Sequence, residues 1–317
     1  MTSITVSAPL RRIAQGNEVR MILLAFGLAV VLSLMSPYFL TSSNLLNLLD
    51  QSVVIGIVAI GMTFVILTGG IDLSVGSIAG LTGIILGLSM REMPLPLAIA
   101  VAVSCGALIG AFSGVLVAVF GLAPFVVTLG MMSICRSLAY VLSGQQSISD
   151  IPEGLSMLVY GSIGGIPANV FILAVLYGAS WFYLNRTKGG RTIYALGSNY
   201  EAARIAGLSV VFYKIVPYAV SGAMSAVAIT LVAGQILSID PLAGNMMELD
   251  AIAAVVIGGA SLFGGRGTII GTLIGVFIMV MIRNWLNLMG VSPFWQGTAI
   301  GTIIIAAVLV ERLMSRR

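Results

Sequence analysis

Histidine is absent from this chain, which removes the commonest general base at neutral pH and the commonest metal ligand. Cysteine is nearly absent. Cys105 and Cys135 each lie inside an apolar stretch with no spacing partner for a zinc site or disulfide framework, so both read as small buried residues. Lysine occurs only as Lys188 and Lys214, and neither follows a glycine and precedes Ser or Thr. A phosphate-cradling Gly-x4-Gly-Lys-Ser/Thr loop therefore does not exist, and the chain hydrolyses no nucleotide by that route. No Gly-x-Ser-x-Gly occurs at a strand-to-helix elbow. Charge is also scarce: 8% of the 317 residues are charged, against about 25% in an ordinary soluble domain. With 59% hydrophobic residues, a soluble fold of this size would turn too much apolar surface to water, whereas in a bilayer that surface faces lipid.

These absences point to an all-α polytopic membrane protein, and the apolar runs give its plan. A spanning helix needs about 20 mostly apolar residues. Ten candidates fall near 21–40, 52–69, 73–90, 94–119, 123–143, 166–185, 211–236, 250–264, 268–288 and 293–312. The third and eighth are short or glycine-rich, which sets the count at eight to ten. Residues 1–20 are polar and basic (Arg11, Arg12, Arg20) and precede an apolar run. No small-residue cleavage site follows it at Met35-Ser36-Pro37-Tyr38-Phe39, so it reads as a first span rather than a secretory signal. The domain plan is an N-terminal tail (1–20), one transmembrane domain (21–312) and a C-terminal tail (313–317).

The formal net charge of +4 comes from basic residues between apolar segments, which suits membrane orientation better than nucleic acid. With ten spans and a cytoplasmic N-terminus, the inner segments hold Arg11, Arg12, Arg20, Arg186, Lys188, Arg191, Arg204, Lys214, Arg266, Arg312, Arg316 and Arg317, which is 12 of the 15 Lys and Arg. The outer segments keep Arg91 and Arg283 and collect Asp50, Glu92, Asp150, Glu153, Asp240 and Glu248. Both termini are thus expected inside. Two connections are long: an outer loop at 144–165 and a basic inner loop at 186–210.

Glycines recur at four-residue spacing: Gly76/Gly80, Gly83/Gly87, Gly106/Gly110/Gly114 and Gly267/Gly271/Gly275. Each set lies along one helix face, as tight bundling in lipid or sliding surfaces both require. Four features carry candidate chemistry. Thr68 to Gly76 interrupts the second and third spans around Asp72 and Ser74, either as a helix cap or as a coupling or gate acid. Asp250 opens the eighth span, with the same two readings, and Asp240, Glu248 and Asp250 surround the outer mouth. Arg136 lies within the fifth span and must face the interior, lining a polar path or pairing with an acid. In the inner loop, Asn199 to Leu208 holds strong helix formers ending at Gly207, a short surface helix suited to docking. Trp181, Phe182 and Tyr183, and Trp285, Phe294 and Trp295, suit interfacial belts better than sugar stacking.

Taken in order, several motifs bear a resemblance: Gly61-Met62-Thr63 through Gly70-Ile71-Asp72-Leu73-Ser74-Val75-Gly76, Arg191 to Gly197 with Glu201-Ala202-Ala203-Arg204 and Gly207, Glu248 to Val256, and Gly264-Gly265-Arg266-Gly267-Thr268. From about Pro37 to Val310 the chain resembles the permease subunit of bacterial ATP-binding-cassette importers for monosaccharides, the ribose, xylose, arabinose and galactose type. The resemblance implies a permease of the vitamin-B12-importer fold in the bacterial inner membrane. It implies two permease subunits forming the pore, identical or paralogous, and an extracytoplasmic sugar-binding protein. A cytoplasmic ATPase would dock on Glu201, Ala202, Ala203, Arg204 and Gly207, with ATP and magnesium on that partner and no cofactor or metal on this chain. Asp72, Ser74, Arg136 and Asp250 are the pathway or gate candidates. One departure is Gly189-Gly190, where relatives often carry a bulkier residue. Three rivals stand beside this reading. A branched-chain amino-acid permease shares the architecture, although Gly-Ile-Asp-Leu-Ser favours sugars. An ion-coupled carrier requires more embedded acids, and only Arg136 reads as deeply placed. An intramembrane enzyme requires a nucleophile and base, or two facing acids, and no such set is evident.

Overall fold

The second apolar segment begins well before its hydropathy suggests. Thr41 is extended (φ −68°, ψ 146°), and its Oγ1 accepts the Asn44 N–H at 3.4 Å, so a helix starts at Ser42 and runs to Leu67. Hydropathy places the start near residue 52 because Ser42–Gln51 is rich in polar groups. Two of those groups, Asn44 and Asp50, face partners inside the protein. Asn44 Nδ2 donates to Asn284 Oδ1 at 2.9 Å, and Asn284 Nδ2 donates back to Asn44 Oδ1 at 2.8 Å. Asp50, expected in an outer loop, lies within this helix, where Gln235 Nε2 donates to it at 3.0 Å and Asn169 Nδ2 also donates.

The structure is a computed structural model, and it describes residues 17–164, 166–292, 295–302, 305 and 309. In chain order the helices are α1 (Asn17–Met35), α2 (Ser42–Leu67), α3 (Val75–Ser89), α4 (Leu95–Ala118), α5 (Pro124–Ser143), α6 (Glu153–Tyr160), α7 (Ala168–Arg186), α8 (Lys188–Ser198), α9 (Tyr200–Ile205), α10 (Val210–Ile236), α11 (Met247–Ile257) and α12 (Ile269–Leu288). A two-stranded hairpin, β1 (Ser162–Ile163) with β2 (Ile166–Pro167), joins α6 to α7. Among the described residues, seven helices, α1, α2, α4, α5, α7, α10 and α12, are long and apolar enough to cross a membrane, and α3 is a shorter apolar helix. The chain is a multi-pass membrane protein. Residues 295–302, in the expected tenth span, are helical. Arg11, Arg12, Phe294, Arg312, Arg316 and Arg317 lie outside the described residues.

The glycines explain the packing. A Cβ on Gly106 would overlap the Gly222 carbonyl oxygen, one on Gly110 would overlap that of Tyr218, and one on Gly114 would come within 2.8 Å of Ile215 Cα. The α4 and α10 backbones therefore touch, which gives close packing where lipid supplies no hydrophobic drive. Gly271 and Gly275 seat α12 on the carbonyls of Gly258 and Ala254 in the same way. Gly267 does not continue that face, because it precedes the helix and has φ +141°.

Three other expectations change. The loop at 144–165 contains α6, whose Leu155 and Val159 are buried and whose backbone sits on Gly234 of α10. The eighth segment is only the 11 residues of α11, about 16 Å at 1.5 Å per residue, and does not cross a 30 Å hydrocarbon core alone. Trp285, expected in an interfacial belt, packs against the buried core of α2, α11 and α12. Trp181, Phe182 and Trp295 are exposed as expected.

Candidate functional site

Two interrupted joints occupy the interior, and both follow a long helix with a short one. At the first, α2 ends at Leu67 and α3 begins at Val75. The irregular backbone between them carries Asp72, which is 0% exposed. Its Oδ1 accepts the Ser74 N–H at 3.0 Å and the Ser74 hydroxyl at 2.5 Å, while its Oδ2 accepts the Ser221 hydroxyl of α10 at 2.8 Å. Asp72 thus takes a backbone N–H at the head of α3, as a cap does, and also ties the joint to another helix. Ser74, the other capping candidate, makes no side-chain cap bond. Thr128 of α5 donates to the Ile71 carbonyl at 3.2 Å. The Tyr218 hydroxyl, buried and without a hydrogen-bond partner, abuts Gly70 so closely that a Cβ there would overlap it. Non-helical backbone survives at membrane depth only where protein covers it or a cavity solvates it, and here protein covers it.

At the second joint, α10 ends and Ile239 pairs with Ile148 through reciprocal N–H···O bonds of 2.8 and 2.9 Å. The chain then turns back into the bundle. Arg136 of α5 donates through one guanidinium nitrogen to the Pro241 carbonyl at 2.6 Å and to the Ala243 carbonyl at 3.0 Å. Gly244 lies against Gly76 of α3, and Glu248 approaches the same glycine. Arg136 therefore faces the interior as expected, with backbone carbonyls rather than a carboxylate as its direct partners. Asp250 is not a cap. The helix starts three residues earlier, at Met247, behind Met246 with φ +69°. A cap must stand before the first turn, and Asp250 stands within it. It pairs instead with Arg283 Nη2 of α12 at 2.6 Å. Arg283, expected in an outer loop, is part of that helix because its neighbours keep the 3.6-residue apolar period. With Asp72 and Asp250 both buried, Arg136 is not the only deeply placed ionisable residue.

The third candidate region is a surface. Thr187 Oγ1 accepts the Gly190 N–H at 3.1 Å and starts α8. Gly189 and Gly190 have a local reason: a Cβ would overlap the Tyr183 hydroxyl at the first and the Leu184 carbonyl at the second. Asn199 Oδ1 accepts the Ala202 N–H at 2.9 Å and starts α9, and Gly207 ends the segment at φ +77°. Ala203 is buried against Leu196 and Val210, which fixes the rotation of α9. Glu201 and Arg204 then face solvent, paired with each other at 2.8 Å, with Ala202 exposed beside them. Ile205 is 81% exposed. Further along the chain, Leu208, Ser209, Val210, Val211, Phe212 and Ile215 line a shallow, mostly apolar hollow. The α9 face thus combines an exposed ion pair with a bare isoleucine.

A family described as "Branched-chain amino acid transport system / permease component" matches residues 44–309. The chain belongs to this family. Among its relatives, the ribose import permease protein of Escherichia coli K12 is 41% identical over 292 residues, 90% of either chain. The ribose import permease protein of Bacillus subtilis 168 is 42% identical over 293 residues, covering 92% of this chain and 91% of its own. The D-allose transport system permease protein of Escherichia coli K12 is 36% identical over 296 residues, 93% and 91% of the two chains. No solved structure matches the chain. The permease therefore has three regions to account for: two interior joints and the exposed face of α9. The sequence marked Asp72, Arg136 and the α9 run. It gave no sign of Ser221, Tyr218 or the role of Arg283, although a cation inside an apolar run was a signal for the last.

Proposed function

We propose that this permease is the membrane subunit of an ATP-binding-cassette importer for a monosaccharide. The relatives that support it carry sugar names, which favours sugar over the amino acid of the family's description. The observation that carries the reading is α9, a capped and rotationally fixed helix with Glu201, Ala202 and Arg204 outward and an apolar hollow further along the chain. A separate ATPase docks there and binds the ATP and magnesium, so this chain performs no covalent chemistry. A second permease subunit, identical or paralogous, completes the pore. An extracytoplasmic binding protein delivers the sugar to the far side. The protein sits in the bacterial inner membrane with both termini cytoplasmic, about ten helices and a vitamin-B12-importer type of fold. Residues 21–312 form the transport domain, with 186–210 as the coupling loop. Asp72, Ser74, Arg136 and Asp250 act at the gate or along the path, because the two joints are where the helices are broken.

Co-purification with its ATPase tests this. The wild-type chain retains the ATPase. Gly207→Trp releases it, since the positive φ penalises any side chain there, and Glu201→Ala weakens it. A wild-type chain that binds no ATPase and transports alone would make a secondary carrier the better reading.

A further inference from the structure

Close to α9, three backbone segments meet, with the Ser198 hydroxyl beside them. The first is the end of α2 and the start of the first joint, Leu67 to Gly69. The second is the last turn of α8, Gly197 and Ser198. The third is the turn between α11 and α12, Gly264 and Gly265. Gly265 N–H donates to the Leu67 carbonyl at 2.9 Å. A Cβ on Gly197 would overlap that carbonyl and crowd the Gly265 nitrogen. A Cβ on Gly264 would come within 2.8 Å of Gly69 N and 2.9 Å of the Gly197 carbonyl, and one on Gly265 within 2.8 Å of Ser198 Cα. Tyr194, one turn back on α8, pins the arrangement by donating from its hydroxyl to the Gly267 carbonyl at 2.9 Å. Thr268 then donates to Glu18 of α1 at 2.9 Å.

The ends of this junction matter. On one side Ser198 is followed by Asn199, the cap of α9. On the other, Gly69 is followed by Gly70 against the Tyr218 hydroxyl, and then by Asp72, which holds Ser221. We propose that this glycine junction transmits movement of the docking helix to the buried Asp72 cluster and α10, and that Gly197, Gly265 and Tyr194 are positioning residues for transport. The inference rests on the docking reading of α9. Its physical basis is that two side chains in contact absorb a displacement by changing rotamer, whereas two backbones in van der Waals contact within a close-packed protein do not. A shift of α8 and α9 is therefore passed on to the α2–α3 joint. The junction touches neither the exposed face of α9 nor the faces by which α4 packs on α10, so neither docking nor bundling requires it.

The test uses the whole complex in proteoliposomes, with ATPase and binding protein, radiolabelled D-ribose as first probe and D-allose as second. Sugar moved per ATP hydrolysed and ATPase retained on the permease are both measured. Gly197→Ala lowers the ratio about tenfold, a size typical of interior coupling positions. Tyr194→Phe, which deletes one hydroxyl, lowers it about threefold. Both keep the ATPase bound and hydrolysing. Gly27→Ala, whose Cβ meets nothing within 4 Å, sets the control range. Ratios of both variants inside that range overturn the proposal, as does loss of the ATPase from Tyr194→Phe, which would make Tyr194 a docking residue. Should Gly197→Ala fail to assemble, Tyr194→Phe alone decides. A wild-type chain that holds no ATPase instead overturns the docking reading, which separates the two failures.

Discussion

The two interior joints solve one problem by different means. At each, a long helix stops, irregular backbone runs through the bundle, and a short helix resumes. The α2–α3 joint is held by a carboxylate and small donors: Asp72 accepts two hydroxyls and one N–H, all from short side chains or backbone. The α10–α11 joint is held by two long cations from neighbouring helices, Arg136 on backbone carbonyls and Arg283 on Asp250. Short donors fix the distance between their backbones. A long guanidinium on a flexible stem keeps its bonds while its helix shifts by an ångström or more. The first joint is thus built as a fixed corner and the second as a tether with slack. If the helices rearrange during transport, this difference predicts that the second joint accommodates relative movement and the first receives the push proposed above.

The largest effect should come from the cationic tether to Asp250. Arg283→Ala strands a carboxylate that is 5% exposed, and breaking a buried pair by removing one partner costs about 3–5 kcal/mol. Thermal unfolding of the detergent-solubilised chain measures it. Removing both charges with Asp250→Asn and Arg283→Leu should restore most of that loss, because no lone charge is then buried. A double variant as unstable as Arg283→Ala would mean that the pair's geometry, not its charge balance, holds α11.

The fixed corner comes next. Asp72→Ala takes the acceptor from the Ser74 N–H and from the Ser74 and Ser221 hydroxyls; the hydroxyls can rotate to other acceptors, so the orphaned N–H sets a cost of about 1–3 kcal/mol. Ser221→Ala removes one donor only and should cost about 1 kcal/mol. If Asp72→Asn, which keeps one carbonyl acceptor, unfolds at the wild-type temperature and retains full uptake, the corner does not depend on the negative charge, and Asp72 drops out as a gate candidate.

How much of this was legible in the sequence depended on whether a residue's partner was near in the chain. The bounds of α4, α5 and α7 follow the apolar runs closely, since those helices show much of their apolar surface outward. The start of α2 did not, because Asn44 and Asp50 spend their polarity inside the protein on Asn284, Asn169 and Gln235, and hydropathy counts such residues against a span. The α9 segment was readable from both ends, with Asn199 as its cap and Gly207 as its stop, because caps are local signals. Asp72 stood out as an acid among glycines, but Ser221 lies 149 residues away and looks like any small residue of a packed helix. Asp250 was misplaced for a related reason. Its rank in the helix depends on Met246 taking φ +69°, which nothing about methionine announces.

The smallest effect on stability, and the sharpest on the comparison, is expected at Arg136. Its guanidinium is half-buried, and its partners are carbonyls with a second lone pair each. Arg136→Ala should therefore cost only about 1–2 kcal/mol, less than Asp72→Ala, since the two carbonyls it leaves are better able to go without a donor than an N–H is without an acceptor. Uptake should respond differently. The loop from Asp240 to Met246 loses its tether, and the positions of Gly244 against Gly76 and of Glu248 at the head of α11 become loose. Transport should fall by far more than stability does, while Asp72→Ala should reduce both together. Arg136→Lys keeps a flexible cation whose single nitrogen carries enough donors for both carbonyls, though on a stem without the planar guanidinium, and should recover a substantial part of the uptake. If the tether has the slack assigned to it, the order is wild type, Arg136→Lys, Arg136→Ala. A lysine variant as inactive as the alanine one would show that the second joint needs the guanidinium itself on Pro241 and Ala243. It would then be as fixed a corner as the first.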